Sequence, residues 1–225
     1  MGEVLLGYDI EKFSNAGFKD FEIEALQEIA NIGVGHAATA LSQLLHRRVD
    51  MSVPYVELVH YDQLAERITG SVEEIVASIL VDSVEQENMF NLLLLFNSES
   101  VKNILKILKS GDPPEDLSNI DEISQSIILE TGNILLLHTI SAINSFAESK
   151  YFPKFPQLKI DMIGSALQEI IGRQKIETKK EDFLLIECDV FTDEEKLKGM
   201  IIILPNDSGL KFLMSRLYGE DIYDE

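Results

Sequence analysis

Glu28 and Asn31 stand three residues apart with Pro54 downstream, and the same types recur as Glu130, Asn133 and Pro156, each shifted by 102 residues. The chemistry open to such a pair follows from its groups. A carboxamide is no base at neutral pH, but it both donates and accepts hydrogen bonds. It can therefore hold a water for attack, as a glutamine does in GTPases. A carboxylate one helical turn away can take an ammonium from a partner. Neither group makes a convincing nucleophile, and no His or Cys stands in their stripe to activate one.

The shift carries apolar neighbours too: Ile32 maps to Ile134, Ala40 to Ala142, Val56 to Leu158 and Leu58 to Ile160. At about 5% usage per residue type, a fixed Glu–Asn–Pro triplet fits a given start about once in 10⁴. Two in one chain, with neighbours in register, mark a duplicated unit. A duplicated scaffold with a merely solvated face explains the repeat. It does not explain why Glu and Asn stand together in two otherwise divergent copies.

The elements that must position these pairs are two long helices. Asp20 caps the first, over 21–47, and Asn119 with Glu122 forms a capping box for the second, over 120–149. At 100° per residue, Leu26, Ile29, Ala30, Gly33, Ala37, Ala40 and Leu44 face the core. Opposite lies the stripe Glu24, Glu28, Asn31, Gly35, Ala38, Ser42, whose small members leave room for another surface. In the second helix the outward stripe is Ser126, Glu130, Asn133, Leu137, Ile140, Asn144. There Leu137 and Ile140 read as an exposed docking ridge. His36 and His138 lie off the stripe and read as packing or hydrogen-bonding residues, and Pro54 and Pro156 as shapers of strand entry.

Strands are expected over 49–59, 75–84, 89–96, 158–163, 183–191 and 199–204, with amphipathic helices over 98–108 and 207–218. A short helix or turn over 165–173 has no clear counterpart in the first half. By the last helix the offset is about 109, an insertion of about seven residues. The linker GDPPEDLSN separates the copies. This predicts an α+β fold with a pseudo-twofold internal repeat: one shared antiparallel sheet of about six strands, with the two long helices packed together. Residues 1–19 form an N-terminal extension, 20–219 a single domain of two repeats (20–111 and 119–219), and 220–225 an acidic tail.

A net charge of −20 argues against nucleic acid and anionic lipid as partners. The apolar runs LLLLF and MIIIL are strand-sized and too short to span a bilayer, so no membrane insertion is expected. The single cysteine, Cys188, reads as a packed thiol, and its solitude fits a reducing cytoplasm. The N-terminus has neither the basic region nor the apolar stretch of a signal peptide. No stretch resembles a metal site, a Walker loop, a dinucleotide fingerprint or a nucleophile elbow.

These residues resemble the CheC/CheX/FliY family of CheY-phosphate phosphatases. The family signature is Asp or Ser, three residues, Glu, two residues, Asn, twenty-two residues, Pro. Ser126, Glu130, Asn133 and Pro156 fit it in full. Glu28, Asn31 and Pro54 fit it with Glu24 in the first position, a departure that favours the second site as the more active. His36 stands where the family often has Asn. Two motifs without a flagellar switch domain point to the CheC-type branch. The resemblance implies a phosphorylated CheY-type response regulator as substrate. Asn31 or Asn133 would orient the attacking water, and Glu28 or Glu130 would pair with the regulator's active-site lysine. It implies no cofactor bound by this chain, Mg²⁺ in the regulator's own active site, and the deamidase CheD as a further partner. The competing readings are a non-catalytic adaptor for phosphorylated regulator or CheD, and a structural part of the flagellar switch.

Overall fold

The computed structural model describes residues 20–52, 55–81, 90–109, 112–146, 153–174, 182–192 and 196–205. The segment 1–19, Pro54, the helix expected over 207–218 and the acidic tail lie outside the described residues.

Helix α1 spans Asp20–Leu45. It stops two residues short of expectation because His46 turns left-handed, with φ of 49°. Ser42 then ties the chain down: its Oγ accepts the Val49 N–H at 3.0 Å and donates to the Ala38 carbonyl at 2.9 Å. Ser42 is thus a half-buried fastening rather than part of an open stripe. The expected strand over 49–59 is two strands, β1 (Val49–Met51) and β2 (Tyr55–His60). Helix α2 (Tyr61–Thr69) follows, closed by Gly70 at φ of 79°. Then come β3 (Ile75–Val81), β4 (Phe90–Asn97) and α3 (Ser98–Leu108), whose cap is Asn97 accepting the Ser100 N–H at 2.9 Å.

The second half opens with α4 (Glu122–Phe146). Its cap is not the expected Asn119–Glu122 box. Asn119 ends a single tight turn, and Asp121 accepts the Ser124 N–H at 2.8 Å instead. Lys109, at the end of α3, donates to the same carboxylate and to Ser124 Oγ. The Lys109 ammonium and the Ser124 N–H together hold the Asp121 carboxyl down from 3.8 to about 2. This clasp bridges the linker between the repeats. Strand β5 (Gln157–Met162), helix α5 (Ile163–Gln174) and strands β6 (Asp182–Thr192) and β7 (Lys196–Pro205) complete the described chain.

All strand pairings are antiparallel, in the order β1-β6-β7-β4-β3-β5, with β2 also on β6. Because β1 and β2 share one edge, seven strands fill six positions. Strand β2 and its counterpart β5 each pair with the other half, β2 on β6 and β5 on β3. Neither half therefore completes its own sheet. Tyr55 lies opposite Glu187, and its counterpart Gln157 lies opposite Leu80, so β3 maps onto β6 at an offset of 107 (187 less 80). The same offset brings Leu94 opposite its own counterpart Ile201, which puts the pseudo-twofold axis between them. In the sheet the insertion is thus five residues.

Side chains alternate across the sheet. Ala77, Ile79, Val81, Leu92, Leu94 and Phe96 point to the face covered by α1, α3 and α4. Val76, Leu80, Leu93 and Leu95 point to the other face, where Leu64, Ala65 and Ile68 of α2 and Ile163 and Leu167 of α5 cover them. The architecture is therefore three-layered. Helix α5 does have a counterpart: α2 begins 102 residues earlier, Tyr61 against Ile163. Equivalent ion pairs tether these short helices, with charges reversed: Glu57–Arg67 at 2.8 Å in one half and Lys159–Glu169 at 2.7 Å in the other.

Candidate functional site

The long helices pack on each other where Gly33 meets Thr139 and Ala142; a Cβ at Gly33 would lie 3.5 Å from Thr139 Cγ2. With their inner sides against the sheet and each other, both present their outer sides away from the core. Glu24, Glu28, Asn31 and Gly35 are exposed on α1, and Ala38 is half-buried. Ser126 and Glu130 are exposed on α4, Asn133 is half-buried, and Leu137 is 44% exposed. The structure thus brings Glu28 beside Asn31 and Glu130 beside Asn133, each on adjacent turns of one helix face. Among the described residues no hydrogen bond or ion pair engages the side chains of these four, so both pairs are presented to whatever docks.

Ile140 is not part of that surface. It is 3% exposed and belongs to the core. Helix α4 buries two rows rather than one: Ile128, Leu135 and Ala142, and beside them Leu136, Ile140 and Ile143. A helix packed on both a sheet and a neighbouring helix buries more than half its circumference, and a single-face projection misplaces its flank. The expected ridge reduces to Leu137. The histidines are also corrected: His36 and His138 are exposed, and among the described residues no hydrogen bond engages either.

Gly132, within the second pair, went unnoticed in the sequence. A Cβ there would lie 2.0 Å from Ile79 Cδ1, so α4 rests directly on β3 at this point. Buried Thr131 beside it bonds back to the Ile127 carbonyl at 2.8 Å. These residues fix the height and rotation of the turn that carries Glu130 and Asn133. The first copy has Ile29 and Ala30 in their places.

A cleft of about 370 Å³ lies between β5 and α5, lined by Ser78, Leu80, Gln157, Lys159, Ala166 and Glu169 among others, and neither pair lines it. Ser78 and Leu80 alternate with Ala77 and Ile79, so this cleft opens on the sheet face away from α1 and α4. No group of three or more His, Cys, Asp or Glu that could hold a metal occurs among the described residues. One described helix, Glu122–Ser145, is long and apolar enough by composition to cross a membrane, and here half of it is buried within the fold. The Glu–Asn pairs lie instead on convex helical surface, which suits a macromolecular partner that brings its own cavity.

Residues 21–58 match the model of the CheC-like family. The CheY-P phosphatase CheC of Bacillus subtilis is 28% identical over 197 residues, which cover 84% of this chain and 90% of that protein. The flagellar motor switch phosphatase FliY of the same organism is 26% identical over 141 residues, 63% of this chain and 36% of that protein. Among solved structures, Thermotoga maritima FliY shares the fold with a TM-score of 0.70 at 17% identity, over 90% of this chain and 98% of that one. The FliM middle domain from H. pylori does so at 0.65 and 10% identity, over 88% and 99%. The motif match lies on α1 and the strand it feeds, and the CheC alignment runs through both repeats, so the chain is similar to CheC-like proteins along most of its length.

Proposed function

We propose that this chain is a chemotaxis phosphatase that hydrolyses the aspartyl phosphate of a CheY-type response regulator. The observation that carries this reading is the doubled, outward-facing Glu–Asn pair, unengaged among the described residues. It is joined by similarity along most of the chain to a CheY-P phosphatase. A regulator docks on the convex face of α1 or α4. Glu28 or Glu130 takes its active-site lysine, which fixes the dock. Asn31 or Asn133 then reaches the phosphoryl group and holds a water in line with the P–O bond. The water's oxygen bonds to phosphorus as the aspartate oxygen leaves, its proton passes to solvent, and inorganic phosphate departs. This chain supplies position. The charge on the phosphoryl oxygens is met by Mg²⁺ in the regulator's own site.

The partnership with the deamidase CheD, and a cytoplasmic setting, are proposed on the family resemblance. No residue is assigned to CheD. The alternative of a non-catalytic adaptor differs at the asparagines. We expect the double substitution Asn31→Ala with Asn133→Ala to abolish accelerated phosphate release while leaving regulator binding measurable. Undiminished release from the double variant would overturn the catalytic reading.

A further inference from the structure

Equivalent positions around the two Glu–Asn pairs carry different groups. Four residues before the Glu stands Glu24 on α1 and Ser126 on α4; four after the Asn stands Gly35 on α1 and Leu137 on α4. All four are exposed. A side chain at Gly35 would meet nothing within 4 Å, so the space over that turn is open to a docking backbone. Over the equivalent turn of α4 stands the 44%-exposed side chain of Leu137.

We infer that the two surfaces grip the rim of the regulator's active site differently: α1 through a second cation beside the active-site lysine, and α4 through an apolar contact. This deepens the phosphatase reading and rests on it. Glu24 and Glu28 are i, i+4 neighbours, and two like charges at that spacing repel until a cation joins them. On α4 the equivalent position holds Ser126, so Glu130 has no carboxylate four residues before it. The net charge of −20 acts on both surfaces and cannot distinguish them. Local contacts do. Attraction between exposed charges is screened over about 10 Å at 0.1 M salt and about 3 Å at 1 M. Burial of a leucine is not screened in this way.

The test uses the full chain and a CheY-type receiver phosphorylated with acetyl phosphate. Asn133→Ala leaves the α1 site in operation, and Asn31→Ala leaves the α4 site. We expect KM to rise several-fold more steeply with salt for Asn133→Ala than for Asn31→Ala. Adding Glu24→Ser to Asn133→Ala should flatten that dependence. Adding Leu137→Ala to Asn31→Ala should raise KM about fivefold with kcat held, the worth of burying the exposed part of one leucine. The same Leu137→Ala added to Asn133→Ala should change nothing. Equal salt slopes for the two single-site variants, or a KM indifferent to Leu137→Ala, would overturn the inference. Acceleration that survives in the Asn31→Ala, Asn133→Ala double variant would instead sink the phosphatase reading beneath it.

Discussion

The outer faces of α1 and α4 carry the same Glu–Asn pair on the same turn, yet their surroundings have parted. On α1 the pair is flanked by Glu24 and Gly35; on α4 it is flanked by Ser126 and Leu137. The parting continues inward. Ala38 of α1 is half-buried, whereas its counterpart Ile140 is sealed in the core. Ala30 has as its counterpart Gly132, pressed against Ile79. Duplication has left one arrangement of reactive groups on two differently packed supports. The two copies keep the pair and its outward direction, and they differ in the wall beside it and the packing beneath it.

The sharpest way to break this comparison is to truncate the two apolar residues of the α4 stripe in turn. Ile140→Ala should cost about 2–5 kcal/mol of stability, as for other buried aliphatic truncations. Leu137→Ala should stay within about 0.5 kcal/mol, as for an exposed site. Urea unfolding reads both, and equal costs would return Ile140 to the surface.

A smaller effect belongs to the clasp between the repeats. The folded pKa of Asp121 is depressed, so its contribution is complete above the ordinary value of 3.8 and is lost as pH falls towards about 2. Wild type should therefore lose more stability than Asp121→Asn between those limits, while the two run parallel above pH 5 or so. Urea midpoints measured across that range check the sign. A gap between the two that stays constant through the acid range would contradict it.

The smallest effect concerns the charge-reversed tethers. Glu57→Lys places a cation beside Arg67 and should cost about 1 kcal/mol or less. Adding Arg67→Glu recreates the order found at Lys159 and Glu169 and should restore most of the loss. A double variant no better than the single would show that the two halves tether their short helices by different means.

Much of this was legible in the sequence, for identifiable reasons. The placement of the two pairs on outward helix faces was readable because Glu, Asn and their apolar neighbours recur in register, and a repeat reports on itself. Helix α3 could be bounded because Asn97 caps it and its apolar residues keep one face. Helix α2 was missed although its signals were present: Leu64, Ala65 and Ile68 at helical spacing, with Gly70 as the stop. The run LLLLF carried a further hint. A strand buried on both faces reads as continuous apolar sequence, and that demands a layer of helices on each side. Ile140 was misplaced because one projected face cannot describe a helix with two buried rows. The offset of 107 could not be found from residue types, because strand register is set by pairing across the sheet and the inserted residues resemble their neighbours.

The central claim is that two asparagines, one per repeat, each position a water for dephosphorylation of a bound regulator. Phosphate release from a phosphorylated CheY-type regulator, compared across wild type, Asn31→Ala, Asn133→Ala and the double variant, tests it most directly. We expect partial acceleration in each single variant, the greater share lost with Asn133→Ala, and none in the double. Full acceleration in the double variant, with the chain folded and binding intact, would contradict it.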